Sequence, residues 1–448
     1  MKAVVLGGGI AGLTAGIRLA ESGAETTIVE AAPFAGGLAS GFRSDGYTFD
    51  FFSHRLWTRD EEVLECIRRW STTELVSRHK ISRILLDDRL YNYPIDVRDL
   101  LTGRSGRIAL HALGGYLSAR LFSRPVKNEN FRSHLVARFG EPLFNVFFGP
   151  YTEKLYGTPT SAISMDLALG AVPKAGIFRQ LAYRLARRVD HWDEFLYPQG
   201  GFMNLPDGMT AAFEAAGGRL RLGHRVQGLR AEGRRIRGVG VEGPAGRLEL
   251  DADLVVSTVP FPAVLNSLGS PPPAAVAAAA AQLRTRAMVA VYLGIDLPQL
   301  SADHWIYFPD AKILFNRLSE TTNYSDGMAP HGRTGICAEI ACDRADPTWA
   351  MDDRTVVDRV TADLVRVGLL SSTDRVERSW VRRFGATYPV YGVDYREHLA
   401  TVLEHLATFT NLKVCGRQGS FWYGSTAQGI RQALDLVKQL DVSSSHAA

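Results

Sequence analysis

Gly7, Gly9 and Gly12, with Glu30 downstream, are the first residues in the chain whose types and spacing could do chemistry. They stand in the order strand, glycine turn, helix, strand, acid. Ala3-Val4-Val5-Leu6 reads as a buried strand and Leu13 to Ala20 has helical spacing. Thr26-Thr27-Ile28-Val29 reads as a second strand that ends on Glu30. This is the dinucleotide-binding fingerprint in the context that gives it meaning. Gly7 allows a tight turn out of the strand. Gly9 lets backbone approach a pyrophosphate, with Ala11 beside it. Gly12, and Gly16 one turn on, let the helix lie close on the sheet. The helix N-terminus offers free N–H groups and a positive dipole end to phosphates. Glu30 would accept hydrogen bonds from an adenosine ribose. A structural glycine turn is the alternative, and an acid at position 30 argues against it.

The elements that must hold these residues belong to a large chain. Its 448 residues are enough for two cores, and 46% hydrophobic with 22% charged residues is ordinary for a globular protein. A formal charge of +4 against 51 basic and 47 acidic side chains gives no nucleic-acid signature, although arginine-rich patches would favour an anionic substrate. Cys66, Cys337, Cys342 and Cys415 form no C-x-x-C pair and no zinc spacing, which predicts a reduced, cytoplasmic protein with neither metal nor disulfides. The N-terminal apolar stretch is broken by glycines, so it is expected to be the first strand and not a signal peptide. No apolar run reaches membrane-spanning length. No internal repeat is evident, and residues 441–448 are expected to form a disordered tail.

Beyond Glu30, Gly36-Gly37-Leu38 supplies a second glycine pair suited to a loop over the same pyrophosphate. With this E-x(5)-G-G continuation the chain resembles the two-dinucleotide-fold flavoproteins, the superfamily of amine oxidases, protoporphyrinogen oxidase, phytoene desaturase and UDP-galactopyranose mutase. The resemblance implies FAD as resident cofactor. Gly46 to His54 resembles that family's G-x-x-F-D-x-G-x-H segment, with Phe52 where glycine is usual. The resemblance puts His54 near the flavin; taken by itself, the segment reads as a buried aromatic strand with a core histidine. Phe147 to Pro159 resembles F-x-x-P-Y-x-x-K-x-W-G, and Phe195 to Phe202 resembles F-x-Y-P-x-G-G. Val226 matches a valine that meets adenine through its backbone. Asp253 to Pro260 resembles D-x-V-V-x-T-x-P, and Tyr388 to Tyr391 the segment Y-P-V-Y. Gly416-Arg417, Tyr423 and a helix starting at Thr426 match the piece holding the flavin-side phosphates and ring. The likeness spans nearly the whole chain and is weak from Ala274 to Ser379.

The fold expected from this is α/β: a Rossmann-like FAD domain built from residues 1–90, 200–273 and 400–440, a helical insertion at 91–199, and a substrate domain at 274–399 with an antiparallel sheet. Within it, Asp60–Trp70, Leu100–Phe122, Asn130–Phe139, Leu205–Ala216, Asp352–Val367 and Thr426–Leu440 read as helices, and Arg83–Tyr91 as a hairpin. Cofactor contacts are expected at Gly7, Gly9, Ala11, Gly12, Glu30, Gly36, Gly37, Leu38, His54, Val226, Gly416, Arg417, Tyr423 and Thr426. Lys174, Arg286, Tyr388 and Tyr423 are the candidates for catalysis or substrate binding. Lys174 stands where the mutase has a substrate arginine and lacks its bidentate fork. Arg286 stands where mutase-like members keep a phosphate-binding arginine, and the plainer alternative is a solvated strand edge.

The resemblance leaves three functions open. One is an oxidoreductase that moves a hydride from a polar small molecule (a sugar, sugar nucleotide, or glycosylated or amine metabolite) to flavin N5. The next is a mutase-like enzyme in which reduced N5 attacks the anomeric carbon of a nucleotide sugar. Trp57, Lys174 and Ser425 depart from the mutase pattern and put UDP-galactopyranose itself in doubt. A plain nicotinamide-binding or non-catalytic protein ranks last, because Gly36-Gly37 and Gly416-Arg417 argue against it.

Overall fold

Val4 and Leu6 face one hydrophobic cluster while Ala3 and Val5 face another, so the first strand is apolar on both sides. That pattern belongs to a parallel sheet covered on both faces. The computed structural model describes residues 1–93, 114–115, 130–171 and 194–440. Lys174, most of Leu100–Phe122, and the tail 441–448 lie outside the described residues.

In chain order, β1 (Lys2–Leu6) and β2 (Glu25–Glu30) flank α1 (Ile10–Glu21). Close packing of α1 is imposed by its glycines. A Cβ at Gly12 would lie 1.9 Å from the Gly7 carbonyl oxygen, and one at Gly16 would lie 2.6 Å from Ile28 Cδ1. There follow β3 (Gly41–Ser44), β4 (Tyr47–Asp50) and α2 (Glu61–Trp70), whose N-cap Asp60 accepts from Val63 N at 3.2 Å. Next come β5 (Leu75–His79) and the hairpin β6 (Ser82–Leu86) and β7 (Arg89–Asn92), which turns through Asp87 and Asp88 at positive φ. Helices α3 (Phe131–Phe139), α4 (Gly149–Tyr156) and α5 (Met165–Ala171) precede β8 (Glu194–Pro198) and α6 (Asn204–Ala215). Strand β9 (Arg219–Leu222) leads into the antiparallel meander β10 (Arg225–Glu232), β11 (Arg235–Gly243) and β12 (Gly246–Asp251).

Strand β13 (Leu254–Ser257) returns to the first sheet. After α7 (Phe261–Ser267) and α8 (Ala274–Gln282) come β14 (Thr285–Ile295), β15 (Trp305–Tyr307), β16 (Arg317–Glu320) and β17 (Thr334–Cys342). The chain ends with α9 (Asp353–Arg366), β18 (Val376–Pro389), α10 (Tyr395–Ala407), β19 (Leu412–Val414) and α11 (Thr426–Gln439).

Two sheets organise these elements. The first is parallel, in the order β19-β13-β1-β2-β9. The second runs β18-β14-β17-β16-β15-β6-β7. It is antiparallel as expected, except where β15 pairs with β6 in parallel, Trp305 opposite Ser82. The hairpin β6–β7 therefore extends the sheet of residues 285–389, although the sequence grouped residues up to 90 with the nucleotide-binding part. Strand β14 explains the layering by simple alternation. Ala287, Val289, Val291 and Leu293 pack with Val356, Val360 and Leu364 of α9, while Met288, Ala290 and Tyr292 pack with Phe49, Phe51 and Phe52. The second face is thus covered by β4 and the residues that follow it. The helices expected at 60–70, 130–139, 205–216, 352–367 and 426–440 all form, each within a residue or so of its expected ends.

A candidate dinucleotide and substrate cleft

One cleft of ≈ 1360 Å³ opens beyond the carboxyl ends of β1, β2 and β13 and continues to the second sheet. The crevice at the strand ends of an open parallel sheet is where such folds take ligands. Its volume exceeds the roughly 300–1,000 Å³ of an ordinary small-molecule pocket, which suits a long cofactor and a substrate together.

At one end the fold leaves room for phosphates. Gly7 adopts φ +100°, and a Cβ there would come within 2.4 Å of Thr258 Oγ1. Gly9 is different: an added Cβ meets nothing within 4 Å, so the atom that glycine omits would project into the cleft. This is the cradle that a pyrophosphate requires and a larger residue would fill. Gly36 N donates to Gly8 O at 2.7 Å, which brings the second glycine loop against the first. Gly36, Gly37 and Leu38 all line the cleft. The Glu30 carboxylate also lines it and is fixed from two sides, by Gly8 N and Ala32 N, each at 2.7 Å. Val226, on β10, stands at the same end. Ala11 lines the wall, whereas Gly12 lies beneath it and serves packing. These residues fit the FAD that the resemblance implies.

Toward the middle, Gly416 at φ +78° passes over Ala11, and its N–H donates to Gln432 Oε1 at 2.7 Å. Arg417 donates through Nη2 to Gly424 O at 2.7 Å, and its guanidinium lies 5.4 Å and 5.6 Å from the Tyr388 and Tyr423 ring centroids. Helix α11 points its N-terminus here, with Thr426 on the cleft wall. Ser425 closes a capping box with Gln428. His54 also lines the cleft and is half-buried. Its Nε2 bonds the Leu38 carbonyl at 2.7 Å; a carbonyl only accepts, so Nε2 carries the proton and Nδ1 the lone pair. Burial, with Arg417 and Arg317 adding to it, lowers the His54 pKa to about 4. The ring is therefore neutral near pH 7. Phe52, in the usual glycine position, packs on Phe384 at 4.8 Å and lines the wall.

The far wall comes from the second sheet and carries residues that the sequence did not single out. Arg317, on β16, makes a fork with Glu339 on β17, Nε to Oε1 at 2.8 Å and Nη2 to Oε2 at 2.7 Å. The Glu339 side chain is 1% exposed and that of Arg317 16%. The fork leaves Arg317 Nη1 without a protein acceptor among the described residues, on a side chain that lines the cleft. Tyr307 stands opposite Arg317 in the β15–β16 register, and Trp305, Tyr388 and Tyr423 line the same cleft. Burial pushes the Tyr388 phenol up to about 12, so it stays a protonated donor. Arg55 stands exposed at the mouth, its guanidinium 5.8 Å from the Trp305 ring.

Arg286 is not brought to this cleft, and it is not a solvated edge either. It is 3% exposed, donates to Leu155 O at 3.0 Å and pairs with Asp343 at 2.7 Å. Pairing of β14 with β18 and β17 turns its side chain under α4. Tyr388 and Tyr423 do reach the cleft, 5.6 Å apart between ring centroids. The charge along the lining is lopsided. Arg55, Arg59, Arg225, Arg317, Arg417 and Arg431 face two carboxylates, Glu30 and Asp60, and Asp60 is already forked to Arg431.

The comparisons agree with this architecture. The chain is similar to reduced UDP-galactopyranose mutase, with TM-score 0.84 and 21% identity over 98% of this chain and 96% of that one. It is similar to a provisionally assigned protoporphyrinogen oxidase from Exiguobacterium sp. 255-15, with TM-score 0.75 and 18% identity over 99% of each chain. It is also similar to putrescine oxidase bound to putrescine, with TM-score 0.66 and 14% identity over 98% of this chain and 99% of that one. At such identities the likeness is one of fold. No curated protein sequence matches. The family model for flavin-containing amine oxidoreductases matches residues 10–436, and the chain belongs to that family.

Proposed function

We propose that this flavoenzyme acts on a nucleotide sugar or a similarly anionic sugar derivative, and that it rearranges the sugar without net oxidation. When bound, FAD supplies two-electron redox chemistry and, in its reduced form, a nucleophilic nitrogen. The observation that carries the reading is Arg317. Its guanidinium is fixed by a buried carboxylate, yet one nitrogen has no acceptor among the described residues, on a side chain that lines the cleft. Donors held in this way act on an oxyanion with no cost of reorganisation, which suits charge gathering on a departing diphosphate. The Tyr388 and Tyr423 hydroxyls line the same cleft as further hydrogen-bonding groups.

The same electrostatics argue against a cationic amine. An ammonium group on that wall would meet Arg55, Arg317 and Arg417, while of the two carboxylates lining the cleft Asp60 is forked to Arg431 and Glu30 lies at the phosphate end. Arg317 thus takes the anion-binding role expected of Arg286, while Tyr388 and Tyr423 keep the substrate role expected of them. Lys174 is retained as a candidate, and cofactor contacts are assigned to the glycine loops, Glu30, His54, Val226, Arg417 and Thr426. Hydride removal from a sugar C–H is the second reading. It is favoured by family membership and by Ser425, which caps a helix where the mutase has an acid. The four buried free cysteines support a cytoplasmic setting.

Purified holoenzyme mixed anaerobically with UDP-sugars tests this. Isomerised sugar nucleotide formed only after dithionite reduction is the expected result. Bleaching of the oxidised flavin with stoichiometric sugar oxidation would establish the hydride reading instead. Failure of UDP and UDP-sugars to perturb the flavin spectrum would remove the substrate class altogether.

A further inference from the structure

Lys154 lies on α4, three positions after Tyr151, in the F-x-x-P-Y-x-x-K stretch that the proposed reaction leaves unused. Its ammonium is turned toward the connection between β15 and β16. Nζ donates to Phe308 O at 2.9 Å, to Asp310 O at 2.8 Å and to Phe315 O at 2.7 Å. An ammonium has three N–H groups and no lone pair, so its whole donor capacity is used on this one segment. Tyr307 immediately precedes the first of these carbonyls, and Arg317 follows the last by two residues. Both side chains line the cleft.

We propose that Lys154 is a positioning residue: by gathering the Phe308, Asp310 and Phe315 carbonyls it closes the β15–β16 connection and fixes Tyr307 and Arg317 on the cleft wall. The functional half of this rests on the reading that Arg317 holds the substrate anion. The helix end of the device is held as firmly as the loop end. Arg286 Nε donates to Leu155 O at 3.0 Å while Nη1 pairs with Asp343, and Tyr151 sets its ring edge-on to Tyr307 at 5.1 Å. From the outer side Leu314 N donates to Asp363 at 2.6 Å, and Arg366 bonds Lys312 O. Arg286 therefore contributes by anchoring α4.

Protonation matters to this clamp. Burial draws the Lys154 pKa down to about 7, against the attraction of Asp310 and Asp363 and together with repulsion from Arg366. A neutral amine has two N–H groups, so deprotonation must release one of the three carbonyls.

The test compares wild type with Lys154→Met and Lys154→Arg as FAD holoenzymes. Backbone hydrogen exchange over 308–317 reads the clamp directly, and UDP titration by flavin absorbance reads the cleft. Lys154→Met should speed exchange and weaken UDP binding by roughly ten- to a hundredfold, with flavin content unchanged. Lys154→Arg should restore most of both. Raising the pH from about 6 to about 9 should weaken UDP binding to wild type and not to Lys154→Arg, whose guanidinium stays charged. Unchanged exchange in Lys154→Met overturns the clamp, and fast exchange with undiminished UDP affinity overturns its link to Arg317. Should Lys154→Met not fold, equal pH slopes in wild type and Lys154→Arg overturn the proposal. Wild type that binds no UDP refutes the nucleotide-sugar reading, and the exchange data then judge the clamp alone.

Discussion

The two walls of the cleft recognise their ligands by different means. The parallel-sheet side works with backbone: Gly9 leaves space, the positive-φ turns at Gly7, Gly36 and Gly416 bring the chain close around it, and helix N-termini supply donors. The second-sheet side works with side chains delivered from separate strands, Arg317 from β16, Tyr388 from β18 and Glu339 from β17. Backbone recognition is insensitive to what the substrate is, so it can be shared by enzymes of different chemistry. Side-chain recognition carries the specificity and changes without disturbing the first wall.

Mutations on opposite walls should separate these roles. The largest effect is expected from Arg317→Met, which strands the buried Glu339 carboxylate without its partner. Loss of about 3–5 kcal/mol of stability is expected from breaking such a pair, together with loss of UDP binding. Urea unfolding and flavin titration would measure the two, and undiminished UDP affinity would place the anion elsewhere. Gly9→Val should do the reverse. The backbone there has φ −74° and the new side chain enters open space, so the protein should fold with its stability nearly intact but fail to retain FAD. A yellow Gly9→Val protein would break the distinction between the walls.

A smaller effect sharpens the comparison from behind the cleft. Asp50 is buried, accepts from Tyr197 and from Phe202 N, and burial pushes its pKa up to about 7. The folded state thus binds its proton more tightly than the unfolded chain does. This contribution to stability is complete below the unfolded carboxylate value and fades as pH rises through about 7. Thermal unfolding should show that decline between about pH 4 and pH 7 in wild type and a flatter profile in Asp50→Asn. Parallel profiles would mean that Asp50 remains ionised when folded.

The difference between the walls also explains what could be read in the amino-acid order. Glycines at 7, 36, 37 and 416 are required by positive φ, Gly12 by close packing and Gly9 by the space it leaves open, and such local requirements leave fixed spacings. Those residues come to one cleft, apart from Gly12, which packs beneath it. Arg317 leaves no such trace. Its partner is 22 positions away across a strand pair, and its tyrosine neighbours come from other strands. Arg286 illustrates the opposite case, a local resemblance without the tertiary consequence. Where its side chain goes is decided by α4, which lies 131 positions earlier. The grouping of residues up to 90 with the first sheet missed β6–β7 for a similar reason, since nothing local announces the pairing of β6 with β15.

That parallel pairing of β6 with β15 has a consequence for engineering. A chimera that exchanged residues 274–399 as a cassette would remove β15 and leave β6 as an open border, with unmet amides ready to recruit another chain. Grafting a new specificity onto this scaffold therefore means carrying the early hairpin along with the later strands, as one transplant in two pieces.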